Sequence, residues 1–153
     1  LATIEGDGVR ILDLIRVETS IQIVLRPGAL LPFHASAQGK VALAYGDANV
    51  WKHLRSHDLT PMTPHTCTDI VELQHQIQLV RERGWAAAPQ EMILGLNALG
   101  APVFDSSGRL AATIAIIGLI NNVGSPPSEQ LVELVMAAAD SITTRLGGTR
   151  TRK

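Results

Sequence analysis

A few side chains in this sequence stand at spacings that chemistry uses. Gly39-Lys40 follows a loop and suggests a phosphate cradle. That cradle needs a glycine five positions before the second Gly and a Ser or Thr after the Lys. His34 and Val41 occupy those places, so neither the cradle nor its magnesium ligand is present. Ser36 and Lys40 are four apart, whereas a Ser-x-x-Lys nucleophile requires three. His53 and His57 stand at i, i+4, a spacing able to hold a metal, but no His-Glu-x-x-His pattern accompanies them. They read as exposed histidines on a polar helix face. Cys67 near His65 suggests a thiol–imidazole dyad, yet a loop cysteine without further nucleophile context reads as an inert thiol. Glu91 is the only acidic residue between Gly84 and Phe104. A lone carboxylate is a weak general base, and the expectation is a surface or interface charge. No metal site or cofactor is expected.

What remains is the helix start at Ser36 to Lys40. Helix N-termini attract anions through unpaired N–H groups and the helix dipole. On spacing alone, the favoured reading is that Ser36 is no more than the cap of its helix.

The elements around these residues follow from pattern. Residues 9–18 and 20–26 read as two strands joined by a tight turn at Glu18-Thr19. Leu30 to Phe33 reads as an extended connector. Ser36 and Asp47 cap two helices, the first ending before Gly46. Residues 58–68 form a loop. Asp69, with Glu72 three residues on, opens a third helix that buries Leu73, Ile77 and Val80 and ends at Gly84.

Leu96 to Phe104 and Leu110 to Ile117 are apolar runs flanking Asp105-Ser106-Ser107-Gly108, a buried hairpin. A two-residue turn sets Ala98 opposite Ala115 and Leu96 opposite Ile117, and a three-residue loop with a bulged Gly108 shifts the pairing by one. Leu119 to Gly124 reads as loop. Ser125-Pro126 starts the last helix, with Leu131, Leu134, Val135, Ala138 and Ile142 inward and Gly147-Gly148 at its end. Hairpins followed by helices give an α+β fold with an antiparallel sheet.

Composition bounds the function. The 153 residues suit one domain, expected over 1–148, with a disordered basic tail at 149–153. The chain is 46% hydrophobic but only 3% aromatic, so aliphatic side chains and Ala must build the core. Net charge is −1; without the four basic residues of the last nine positions, nine basic residues face fourteen acidic ones. That net of −5 is a poor footprint for a nucleic-acid binder. No apolar run is long enough for a membrane span. A single Cys and no visible signal peptide point to a reducing compartment, the cytoplasm.

Several of these segments occur together in one known family. LPFHASAQGKVALA, Thr66 ahead of Asp69, VRERGWA with Glu91-x-x-x-Gly95, and GAPVFDSSGRLAATIAIIG resemble the effector-binding domain of IclR-type bacterial transcription regulators, from about Val9 to Gly147. The resemblance implies a GAF/profilin-like domain, a curved antiparallel sheet of about six strands flanked by helices. It implies an oligomer, a homodimer or homotetramer, that senses a small molecule. DNA contact would belong to an N-terminal winged helix-turn-helix domain absent from this chain.

By the same resemblance, the effector contacts fall at Ile23, Leu31 and Leu96, at the backbone N–H groups of Ala37 and Gln38, and at Ala88, Ala98, Ala115 and Ile117. The last four are polar in many relatives and apolar here. The implied effector is therefore hydrophobic or aromatic, with at most one carboxylate placed at the Ala37–Gln38 amides. Two other readings stay open: a ligand-free oligomerisation module, with the pocket closed by Ile117, and a small hydrolase using Cys67.

Overall fold

The computed structural model describes residues 1–16 and 25–149. Its strands are β1 (Ala2–Glu5), β2 (Gly8–Ile11), β3 (Leu30–Pro32), β4 (Ala86–Ala87), β5 (Leu96–Phe104) and β6 (Leu110–Leu119). They form one six-stranded antiparallel sheet in the order β3-β2-β1-β6-β5-β4. The helices are α1 (Ala37–Tyr45), α2 (Ala48–Arg55), α3 (Ile70–Arg83), α4 (Ile120–Val123) and α5 (Glu129–Arg145). The α+β class is as the sequence pattern leads one to expect, and the six strands are as the family resemblance implies.

Two cores flank the sheet. Phe33, Val41, Leu43, Leu73 and Ile77 pack between α1, α3 and one face. Leu99, Ala101, Val103, Val135 and Ala139 pack between β5 and α5 on the other. The alternation of β5 explains the division, because successive side chains of a strand point to opposite faces.

The caps fall where the sequence places them. Ser36 Oγ accepts from Gly39 N at 2.9 Å, and Asp47 and Asp69 carboxylates accept from Asn49, Val71 and Glu72 N–H groups. Gly84 ends α3 at φ +87°, the left-handed conformation that glycine adopts without steric cost.

Other expectations fail. The first hairpin spans Ala2 to Ile11 and turns at Gly6-Asp7, with Glu5 opposite Gly8. Residues 12–16 carry no strand, and most of the second expected strand, with the turn at Glu18-Thr19, lies outside the described residues. Glu5-Gly6-Asp7-Gly8 is a strong turn signal, but the run ahead of it, Ala2-Thr3-Ile4, is only three residues long and carries little strand pattern. The expected connector at Leu30 forms a strand paired with β2. A turn of helix, α4, replaces the expected loop after Leu119.

The last helix starts at Glu129 under a Ser128 cap rather than at Ser125. Pro126 and Pro127 supply no N–H, and a residue preceding proline avoids the helical region. Its buried stripe is Val135, Ala139 and Thr143, while Leu134 is 61% exposed and Ala138 is also exposed.

The central hairpin also departs from the two-residue turn. Asp105 N donates to Arg109 O at 2.9 Å around a Gly108 at φ +73°, which moves the pairing by one. A bulge at Ala111, between the pairs Phe104–Leu110 and Val103–Ala112, moves it by one again. Ala98 therefore lies opposite Ile117, Leu96 opposite Leu119 and Gly100 opposite Ala115. Two single shifts restore the parity, so Leu96, Ala98, Ala115 and Ile117 still share a face.

Candidate functional site

The first turn of α1 lies unusually close to the sheet and to its own lead-in. A Cβ on Gly39 would stand 2.4 Å from Pro32 O and 2.6 Å from Phe33 Cα. A Cβ on Gly100 of β5 would stand 3.3–3.4 Å from the backbone of Ala37 and Gln38. Two glycines, one on the helix and one on the strand, thus permit the approach.

Ser36 fixes the turn's direction, because its hydroxyl donates to Pro32 O at 2.7 Å while accepting from Gly39 N. Lys40 N begins the helical bonding to Ser36 O at 2.9 Å. The N–H groups of Ala37 and Gln38 are left without a protein acceptor among the described residues. These are the orphan donors of a helix start, at the positive end of its dipole.

Ala37 and Gln38 line a narrow apolar cavity of about 40 Å³, room for about three water molecules. The structure brings most of the sequence-derived residues to it. Leu96 and Ala98 come from β5 and Ile117 from β6; Ala37 and Gln38 come from α1; Leu31 and Ala88 close the sides.

Ala115 is not brought there. It sits opposite Gly100, two residues further along the face, because of the register described above. Ile23 lies outside the described residues. Sequence reasoning missed Leu25, Ala35, Met92 and Ile93, which line the cavity together with Ser36 and Asn97. Met92 and the 47%-exposed Ile93 belong to the segment between β4 and β5, whose apolar pair after Glu91 was the available signal.

A polar cluster holds that segment in place. Lys40 and Glu91 form an ion pair with the two residues only 2% and 5% exposed, and Lys40 Nζ also donates to Gln76 Oε1 at 2.8 Å. Thr66 Oγ1 donates to Glu91 O at 2.7 Å, and Thr63 Oγ1 to Gln90 O at 2.7 Å. Gln90, at φ +58°, accepts Gly95 N on Oε1 at 2.9 Å. Glu91 is therefore not the surface charge expected of it; burial is possible because the ammonium and carboxylate meet.

The remaining candidates lose their chemistry. Cys67 is buried, and burial pushes its thiol pKa above the ordinary value, only partly opposed by a backbone hydrogen bond from Asp69. A nucleophilic cysteine needs the opposite shift. His53 stacks on His57 with ring centroids 4.3 Å apart and approaches Asp7 at 3.5 Å, so it is only partly exposed. No group of three or more metal-ligating side chains occurs among the described residues. No helix among them is long and apolar enough to cross a membrane.

Comparison with known proteins locates this architecture. The family described as bacterial transcriptional regulator IclR C-terminal matches residues 1–144. The Pca regulon regulatory protein of Pseudomonas putida is 30% identical over 151 residues, covering 97% of this chain and 52% of that protein. The transcriptional repressor IclR of Escherichia coli K12 is 32% identical over 141 residues, covering 92% of this chain and 52% of that repressor. The crystal structure of Thermotoga maritima IclR superposes with a TM-score of 0.87 at 27% identity, over 95% of this chain and 60% of that one. The chain spans about half the length of the curated relatives it matches.

Proposed function

This chain belongs to the IclR family of bacterial transcriptional regulators, as the C-terminal effector-binding and oligomerisation domain, and from that premise we propose that its cavity takes a largely apolar, hydrophobic or aromatic acid. The carboxylate meets the N–H groups of Ala37 and Gln38, and the rest lies against Leu31, Ala88, Leu96, Ala98 and Ile117. The observation that carries this reading is the pairing of two unsatisfied amides with a wall of alkyl groups. Each methylene buried there contributes about 0.8 kcal/mol. A second ligand hydroxyl left unpaired against that wall costs roughly 1–3 kcal/mol. The balance disfavours small polyhydroxy and keto acids.

An aromatic ring is larger than the cavity as it stands. Room comes from Met92 and Ile93 at its mouth, since Met is unbranched and repacks readily. The whole regulator works as a cytoplasmic homodimer or homotetramer without enzymatic activity, and meets operator DNA through a domain ahead of this one. The raised Cys67 thiol pKa speaks against a hydrolase. Exposed apolar side chains such as Leu134 of α5 and Ile116 of β6, 61% and 40% exposed, suit association between copies.

Thermal-shift measurements with benzoate and phenylacetate, set against glyoxylate and pyruvate, test the effector class. Stabilisation by the aromatic acids is expected, and stabilisation by the small polar acids alone overturns it. The small cavity volume favours one second reading, a ligand-free oligomerisation module. No melting shift with any acid, together with a self-associated chain in light scattering, would establish that reading instead.

A further inference from the structure

The two halves of the sheet meet at a narrow seam. Strands β3-β2-β1 join β6-β5-β4 between β1 and β6, and the only register pair across that junction among the described residues is Ala2–Thr113. Thr113 is fully buried, as is Ala2. Its hydroxyl lies 3.4 Å from Ala2 O and 3.3 Å from Gln38 Nε2. A carbonyl only accepts and a hydroxyl has one proton, so Thr113 donates to Ala2 O and accepts from the Gln38 amide. A second hydroxyl crosses nearby, where Thr3 Oγ1 donates to Ala111 O at 3.3 Å.

Gln38 thus faces two ways. Its backbone N–H is one of the two free donors beside the cavity, and its side chain, in a residue 5% exposed, holds the hydroxyl that closes the seam. Both contacts, at 3.4 and 3.3 Å, are longer than well-formed bonds of their kind, so they can tighten.

We propose that Gln38 and Thr113 form a relay that couples occupancy of the cavity to β1. This rests on reading the cavity as the effector site. An anion drawn onto the Gln38 N–H orders the first turn of α1 and seats the carboxamide on Thr113. The Thr113 hydroxyl then holds Ala2 O more firmly. In a regulator whose DNA-binding domain precedes β1, the strand held is the one nearest that domain in sequence. Thr113 is a positioning residue: it touches β1 and Gln38 and does not line the cavity.

Hydrogen exchange resolved at the peptide level tests the relay in the chain of residues 1–153. Without ligand, Thr113→Val and Gln38→Met are each expected to speed exchange in the β1 peptide by about fivefold, the loss of one neutral hydrogen bond. The β5 peptide stays as in the wild type, and the double variant is no faster than Thr113→Val alone. With saturating benzoate, exchange in β1 slows in the wild type and not in Thr113→Val. Equal acceleration of β1 and β5, or unchanged β1 exchange in both variants, overturns the relay. Should Thr113→Val not fold, Gln38→Met decides alone by the same two outcomes. Failure of benzoate to bind the wild type counts against the effector reading, while the ligand-free variants still decide the relay.

Discussion

Glu91→Gln isolates the buried ion pair. The change preserves shape and removes one charge, leaving the Lys40 ammonium, in a residue 2% exposed, with only neutral amide oxygens as partners, that of Gln76 at 2.8 Å and that of the new side chain. Breaking a buried pair on one side costs about 3–5 kcal/mol, because the surviving charge has lost its water and its counter-ion. For a domain of 153 residues, each kcal/mol lowers Tm by roughly 2–4 °C, so the expected fall is roughly 6–20 °C.

The loop carrying Met92 and Ile93 hangs on the same carboxylate, so an acid that stabilises the wild type should stabilise this variant less. Replacing both partners, Lys40→Met with Glu91→Met, should recover most of the lost stability, since well-packed apolar side chains often equal a buried pair. Thermal unfolding followed by circular dichroism at pH 7 reads all three chains. A single variant that melts within about 2 °C of the wild type would refute the reasoning, because it would mean that less than about 1 kcal/mol rests on the pair. A double variant as unstable as the single one would refute the account of why the single variant is unstable.

Gly39→Ala should destabilise the chain by at least about 2 kcal/mol, because the new methyl meets backbone atoms of Pro32 and Phe33 that cannot rotate away; denaturant titration measures it. Cys67 should react with iodoacetamide at pH 8 at least about tenfold more slowly in the folded chain than in urea. Its thiol pKa is raised on folding, so the stability from keeping it neutral is full below the unfolded value and is lost as pH rises through the folded one. Cys67→Ala should flatten that alkaline decline in a melt series from pH 7 to 10.

Much of this protein is local and could be read from the chain. Ser36, Asp47 and Asp69 cap their helices because a short oxygen-bearing side chain meets an N–H two or three residues on. Gly84 ends α3 because glycine alone takes φ +87° freely. The face shared by Leu96, Ala98 and Ile117 follows from the period of a strand.

Other features depend on contacts that no window of sequence contains. The partners Lys40 and Glu91 are 51 residues apart, and neither reads as buried until α1 meets the segment before β5. Thr113 becomes the clasp on β1 only when the first strand of the chain lands beside the last, 111 residues away. The hairpin register was decided by two bulges whose shifts add, and that sum displaced Ala115 from the cavity. Caps and periods are settled by energies within one or two turns of chain. Burial, ion pairing and register are settled by which distant surfaces exclude water together, and that choice belongs to the fold as a whole.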